Sequence, residues 1–595
     1  MRFACLMTLM FLVGCSSSEQ ISEQPKRPAD GVVTAAPIDF EMTTDVPAAV
    51  KQEAIKFSGP RGFSKRMAEP AIIDTTQFPQ QVRHREPFRG EIRSSSDFRP
   101  PGAELPVIPP GIANNLMPGS QSNARRISPM QAFPGISQTE LTPPDPSLAV
   151  GPNHIVQTVN MTVSFTDKEG NVQFQQLLND TDEPGFFDDV GAGDFVFDPR
   201  CFYDHYSNRF FIIALEVYQD QLEAYITIAV SDDDDPHGIW HRYRTFAIIQ
   251  VGALLYWVDY PGVGFDEDGV YMSVNMILLV GPGAGFGNVV FRSFPKTPLL
   301  NGEPVEFTDI LNPEAASVQF AHCFGENPAP LSISRGTMTS LRVMALQDPF
   351  GSPSIVTSFV DVPEWGFPPD APSGESGSVE TIGGRIMNAH WRNGRLWATH
   401  VTNDSGLRPV VRWYEIETGD WPESGQPTLV QSGDVNLGEG YSTFFPAIYT
   451  DNQNNAAIVM GRSREGEEAS VAVAGRFASD PPGTMSQVEV FQIGTGNSDG
   501  RWGDYYDIAI DPTDGMTFWM AGQTQEPFGW QTWVNSFVVA VPGDINGDGL
   551  TNLLDVQPFV DILLSDEFDP VADLNNDGIV NLLDVGPFID IISAG

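Results

Sequence analysis

The 595-residue sequence predicts an all-β fold: a β-propeller, seven blades favoured over six or eight, followed by a small α-helical calcium-binding module. Three observations carry the prediction. Short apolar runs such as HIVQTVNMTVSF, RFFIIALEVY, AYITIAVS and AAIVMG alternate with Gly, Pro, Asn and Asp turn signals, and helix-length amphipathic patterns are nearly absent. An Asp-led unit recurs at a near-constant spacing through the central 400 residues, as radially repeated folds require. Finally, the chain closes on two in-register copies of one acidic, glycine-turned loop.

The N-terminus reads as an export signal. Arg2 is followed by the apolar run Phe3 to Val13, too short to span a bilayer. Leu12-Val13-Gly14-Cys15 resembles the lipobox of bacterial lipoproteins, which implies cleavage before Cys15, lipidation of Cys15 and a membrane-anchored protein facing the periplasm or cell exterior. A plain signal peptide cut elsewhere is the alternative. Residues 16–135 are rich in Pro, Ser and Gly, with no sustained period apart from one helical candidate at Ala48–Phe57. They predict an extended tether that lifts its cargo from the lipid.

Residues 136–541 hold the core. The repeat unit is an Asp, a short run, a polar turn and a second apolar strand, beginning at Asp145, Asp198, Asp259 and Asp504. Asp198 and Asp259 are 61 residues apart, and Asp504 follows 245 later, close to four such gaps. Degenerate copies fall between them at FAHCFGENPAPLSI, GGRIMNAHWRNGRLWATH and TFFPAIYTDNQNNAAIVMG. A ring of four-stranded blades removes the exposed sheet edges that such strands would otherwise leave. A β-sandwich of two or more domains is the alternative.

Residues 542–595 carry the two loops. Ca²⁺ takes six to eight oxygens, and an EF-type loop offers them from positions 1, 3, 5, 7, 9 and 12 around a glycine at 6. The first copy places Asp544, Asn546, Asp548, the carbonyl of Leu550, Asn552 and Asp555 at those positions, around Gly549. The second places Asp573, Asn575, Asp577, the carbonyl of Ile579, Asn581 and Asp584 there, around Gly578. Position 12 is Asp instead of Glu, and no amphipathic helix precedes either loop, so the unit is loop then helix. Pro558 and Pro587 fall in the first helical turn, where a missing N–H costs nothing. This duplicated unit resembles dockerin modules, which implies two bound Ca²⁺ ions and a cohesin-type domain on another protein as partner.

Composition restricts the partners. A formal charge of −44 argues against nucleic acid, whose phosphates need Lys and Arg. The charge is uneven: residues 16–135 are nearly balanced, with 14 basic and 13 acidic side chains, whereas 542–595 carries 11 acidic and no basic ones. Apart from Cys5 and Cys15, only Cys201 and Cys323 remain, and whether they pair is left open by the sequence.

Candidate chemistry lies in the propeller. If the innermost strands line a channel, Asp145, Asp198, Asp259 and Asp504 ring one mouth, joined by Arg501, Trp502 and Tyr505 of the RWGDY segment. Carboxylates beside aromatic rings suit a glycan, through proton transfer, hydroxyl hydrogen bonds and stacking. The competing reading is architectural, because a residue repeated in every blade serves to cap strands or bond the next blade. The turns SDDDDPHGIW (231–240) and DPTDGMTFW (511–519) are similar to the Asp-box of sialidase-type propellers, in which an Asp caps backbone N–H groups beside a packed aromatic. A sialidase site proper would draw on Arg385, Arg501 and Tyr505. The span 140–540 also resembles a family of exported bacterial propeller-like proteins that transfers no catalytic residue. P-loop, HExxH, GxSxG and paired CxxC patterns are missing, and His205, His237, His322 and His390 read as satisfied loop or core residues. Two functions follow from this reading. One is a lipid-anchored binding and display protein whose propeller recognises a glycan or protein. The alternative is an extracellular carbohydrate-active enzyme, a glycosyl hydrolase of polysaccharide catabolism.

Overall fold

The computed structural model describes residues 54–57, 62–78, 90–91, 127–139 and 141–595, less short gaps at 180–184, 194, 219–220, 281–285, 405–406, 439, 547–550, 566–568, 570, 576–578 and 595. The export signal with Cys15, most of the tether, Asp548, Leu550 and Asp577 lie outside the described residues.

The chain is mostly β, in a propeller arrangement. Four-stranded antiparallel meanders follow one another along it. Five are separate sheets, with first strands Ser147–Val150, Val196–Asp204, Gln319–Phe320, Ser442–Thr450 and Asp507–Ile510. Two more, starting at Leu254–Phe265 and Ile386–Arg392, are fused into one 12-stranded sheet, because the short strand His322–Phe324 pairs in parallel with both. The first strand of each meander packs on the first strand of the next, and the last packs on Ser147–Val150, so these strands surround the axis. Each Asp-led unit of the sequence is an inner hairpin: Asp198 opens into Val196–Asp204 and its partner Arg209–Tyr218, and Asp259 into Leu254–Phe265 and Gly269–Val280.

Apolar residues fill the spaces between facing sheets. Ala149, Val156, Val163 and Phe165 of the first meander meet Val196, Phe210, Ile212 and Trp240 of the second. Near-continuous burial of the inner strands follows, as in sheets covered on both faces. The final meander takes its outermost strand from the other end of the chain, since Ile127–Ser137 pairs with Gly529–Val539. That closure ties residue 127 to residue 539 and leaves the ring without a free seam.

The segment read as an extended tether is in part folded onto the propeller. Phe63–Ala68 adds a fifth strand to the outer edge of the third meander at Val305–Asn312, and Pro70–Asp74 does the same for the second at Ile239–Phe246. Ile55–Lys56, inside the predicted helical stretch, is a short strand paired with Ile249–Val251. These strands show no readable period because each is short and sits on an outer edge with one side exposed. Their gain is backbone pairing that covers two edges. Cys201 and Cys323 are buried free thiols, not a disulfide.

At the C-terminus two helices, Val556–Leu563 and Val585–Ala594, each start one residue after a loop's position 12. Phe559 and Phe588 stack at 4.1 Å over Ala572, making a small core of their own.

Candidate functional site

The repeated aspartates converge where the first strands begin. Ligand-capable oxygens of Asp145, Asp198 and Asp504 all lie within 4.8 Å of one another, and all three side chains are buried. Asp259 is also buried, close enough to act on the charge of Asp198. Local backbone geometry sets these positions. Asp145 and Asp198 have φ of 50° and 48°, and Tyr260 and Phe445 match them at 56° and 48°, each directly before a proline. Such left-handed residues cost on the order of 1–2 kcal/mol each, so tertiary bonds must hold them.

Those bonds run between blades. Asp504 N–H donates to Asp145 Oδ1 (2.6 Å), joining the last meander to the first. Tyr260 N–H donates to Asp198 Oδ2 (3.2 Å), joining the third to the second. Asn160 bridges the pair, with its amide donating to Asp145 Oδ2 (2.8 Å) while its Oδ1 accepts from Asp198 N–H (2.7 Å). Asp507 repeats the device, its Oδ2 accepting from Ser147 Oγ (2.6 Å) and Leu148 N–H (3.0 Å). For Asp145 and Asp198, then, the carboxylates do bond the neighbouring blade. Asp504 differs: its side chain holds Arg501, Nη2 to Oδ1 2.6 Å, inside its own loop.

The RWGDY segment is a bend ahead of Asp507–Ile510 and not itself a strand. It is held by the hairpin Ala371–Ser373/Gly377–Val379, which pairs with Asp499–Gly500 next to Arg501. Tyr505 does not present a free hydroxyl. Its OH donates to the Pro199 carbonyl (3.0 Å), and the Arg200 guanidinium stacks on its ring at 3.2 Å. Arg385 lies over the Tyr260 ring at 4.7 Å and donates to the Ile382 carbonyl. Arg385, Arg501 and Tyr505 are therefore each committed to a separate neighbour.

Several buried polar atoms around the cluster have no hydrogen-bond partner among the described residues: Asp504 Oδ2, Gln523 Oε1, Arg501 Nε, Arg200 Nη2, Arg385 Nη1 and the Tyr260 hydroxyl. Burial of such groups without partners is costly, at about 1–3 kcal/mol each, and concentrates here. Sequence reading missed Asn160, Arg200, Tyr260 and Gln523. Only Arg200 and Tyr260 adjoined a motif, each within two residues of a repeated Asp.

Burial raises Asp145 and Asp198 alike. Burial, then the neighbouring Asp504 charge, pushes the Asp145 carboxyl up to about 7, against the pull of Arg501. Burial and the charges of Asp259, Asp504 and Asp145 raise Asp198 well above the usual carboxylate range. Burial opposes the charge of Arg501, but Asp504 and Asp145 outweigh it and hold it cationic. An acid whose folded pKa is raised binds more protons folded than unfolded. Its contribution is thus present below the unfolded value and lost as pH rises from about 4 to about 7.

At the other end of the axis, three of the four histidines singled out from sequence form an aromatic plug. His205 stacks on Phe324 at 4.3 Å, Phe324 meets His390 at 5.1 Å, and His390 lies on Tyr449 at 4.2 Å. His322 bonds the Tyr449 hydroxyl. Burial depresses His205 to about 4 and His322 to about 3, so both are neutral. They are half-buried, and His205 Nδ1 and His390 Nδ1 have no hydrogen-bond partner among the described residues, unlike the satisfied histidines expected from sequence. The Asp-box-like turns behave as read. Asp233 and Asp235 accept from the N–H groups of Asp235 and His237 (both 2.9 Å) beside buried Trp240. Asp511 accepts from Thr513 N–H (3.0 Å) and from Trp519 Nε1 (3.1 Å).

In the C-terminal loops, positions 1 and 12 of both copies (Asp544, Asp555, Asp573, Asp584) are buried carboxylates. Asp555 accepts from the N–H groups of Asn546 (3.0 Å) and Asn552 (2.8 Å), and Asp584 from those of Asn575 (3.0 Å) and Asn581 (2.8 Å), which closes each loop around position 12.

No protein-family model matches the chain, and no curated protein matches it. Solved structures similar to it include the α-L-arabinofuranosidase Arb93A from Fusarium graminearum, at 9% identity over 70% of this chain and 98% of that one, with a TM-score of 0.34. A Trypanosoma rangeli sialidase mutant displaying trans-sialidase activity is 11% identical over 63% of this chain and 57% of its own, with a TM-score of 0.29. The xylan β-1,4-xylosidase from Bacillus halodurans C-125 is 9% identical over 70% and 100%, with a TM-score of 0.26. At such identities and scores the likeness carries no functional argument, and the propeller arrangement rests on the sheet topology above.

Proposed function

We propose that this chain is an exported carbohydrate-active propeller whose Asp145–Asp198–Asp504 cluster is a glycosidase-type site. The observation that carries the reading is a carboxyl held up to about 7 within 4.8 Å of two others, among buried polar atoms without partners in the described residues. A buried carboxyl raised toward neutrality is suited to act as a general acid. Asp145 is then the proton donor to the leaving oxygen, and Asp504, with Oδ2 uncommitted, is the carboxylate facing it. The spacing is nearer the roughly 5–5.5 Å of retaining enzymes than the roughly 6.5–9.5 Å of inverting ones. Incubated with a panel of polysaccharides, the calcium-loaded protein releases reducing ends, and Asp145→Asn lowers kcat about 100-fold or more.

A second reading, the binding and display protein, is favoured by the burial of all four carboxylates and by the use of Asp145 and Asp198 as inter-blade acceptors. Retained glycan binding with no turnover in either protein, parent or Asp145→Asn, selects it.

The remaining parts extend both readings. Seven meanders, each counted as one blade, make a single ring, supported by the closed circuit of first-strand contacts. The tail holds two Ca²⁺ ions through Asp544, Asn546, Asp548, Leu550, Asn552 and Asp555, and through Asp573, Asn575, Asp577, Ile579, Asn581 and Asp584. Buried carboxylates at positions 1 and 12 in a module with no basic side chain fit a divalent cation. Its docking face for a cohesin-type partner is the exposed pair Leu553/Leu554 with its repeat-mate Leu582/Leu583, an apolar surface that a lone module leaves in water. Lipid on Cys15 anchors the protein outside the cytoplasm. Cys15→Ser removes the thioether acceptor, and the variant then fractionates as soluble or unprocessed protein; a membrane fraction equal to the parent's refutes the anchor.

A further inference from the structure

His154, Asp235 and His237 come together on the side of the propeller opposite the aspartate cluster. His154 opens the second strand of the first meander, and the 232–238 turn joins the third and fourth strands of the second. Since strand direction alternates, both turns lie where the first strands finish. One ligand-capable atom from each residue lies within 4.8 Å of the others, with His237 Nδ1 to Asp235 Oδ1 at 2.8 Å and His154 Nδ1 to the same oxygen at 3.7 Å. The two imidazole rings are 5.1 Å apart and edge-on.

His154 Nδ1 is shielded from water and has no hydrogen-bond partner among the described residues, whereas His237 Nδ1 bonds Asp235 Oδ1, a contact a metal would replace. His237 Nε2, also shielded and without a partner among them, is the other nitrogen of that ring. The rings rest on an apolar floor, His237 edge-on to Phe165 at 5.6 Å and Phe165 stacked on Trp240. Asp167 and Asp234 add negative charge close to His154. The geometry points to a divalent transition-metal site of the zinc type, His154–Asp235–His237, that ties the first meander to the second and leaves outer positions open to water or an exogenous ligand. Two imidazoles and one carboxylate are the donor set of borderline ions and not of Ca²⁺, which takes oxygens. Bonds of about 2.0–2.1 Å place tetrahedral ligand atoms roughly 3.3 Å apart, between the two distances observed to Asp235, so each histidine needs to shift only about half an ångström relative to that carboxylate, and the two histidines close from within 4.8 Å.

The site lies outside the glycosidase reading and stands or falls separately. The test uses the full mature chain saturated with Ca²⁺ to fill the tail loops, titrated with Co²⁺ alone and then with Zn²⁺. The parent binds one Co²⁺ with a visible ligand-field band that Zn²⁺ bleaches. His154→Ala and His237→Ala each weaken binding at least about 100-fold, the upper range for losing even an outer partner. Asp235→Asn, which keeps an acceptor for the turn, serves where a histidine variant does not fold. Absence of the band in the parent, or parental affinity in folded variants, overturns the site.

Discussion

Chelating calcium abolishes the helical signal of the C-terminal module, and restoring it returns the signal with two ions bound per chain. The 542–595 segment buries four carboxylates at positions 1 and 12 of its loops and has no basic side chain to neutralise them. Among the described residues its apolar core is Phe559, Ala572 and Phe588 with seven partly buried neighbours, too little to offset the ordering entropy of about 1–2 kcal/mol per residue. Metal binding energy therefore becomes folding energy. Calorimetric titration with far-UV circular dichroism gives two ions for the parent and one for Asp548→Ala or Asp577→Ala, with the other loop retained. One ion in the parent, or titration without a gain in helix, rules out the paired loops.

Replacing Asp504 by Ala costs about 3 kcal/mol or more of stability and abolishes any turnover. Its carboxylate is the partner of Arg501, and both side chains are largely buried (1% and 11% exposed). Removing one member of a buried pair strands the other, typically at about 3–5 kcal/mol, and relief of repulsion with Asp145 and Asp198 returns part of that. The Asp145–Asp504 backbone bond survives, because it uses the N–H of residue 504. The substitution also removes a charge that raises Asp145, so the fall in stability between about pH 4 and 7 becomes shallower in the variant. Denaturant unfolding at several pH values, set beside the polysaccharide assay, reads both effects. Asp504→Asn keeps an acceptor for Arg501 and so isolates the charge. A fully stable but inactive Asp504→Ala would show that the Arg501 pair contributes nothing to folding, and a destabilised, fully active one would remove Asp504 from the reaction.

The sequence by itself determined the β-rich repeat, the inner hairpins and the loop-helix tail, because each is written in local chemistry. Period-2 apolar runs mark half- or fully buried strands, Asp and Gly mark turns that need side-chain acceptors or left-handed backbone, and calcium loops space their oxygens along a dozen residues. It also brought forward Asp145, Asp198, Asp259 and Asp504 as one set, through their place in the repeat. Only the tertiary structure decided what the set does. That Asp145 bonds the backbone of residue 504, and that Tyr505 is spent on Pro199, depends on contacts between residues 359 and 306 positions apart. The same holds for the edge strands at 63–74, the closing strand at 127–137 and the His154–Asp235–His237 cluster. Each joins segments distant in sequence, and ring closure brings them together by packing that no window of sequence contains.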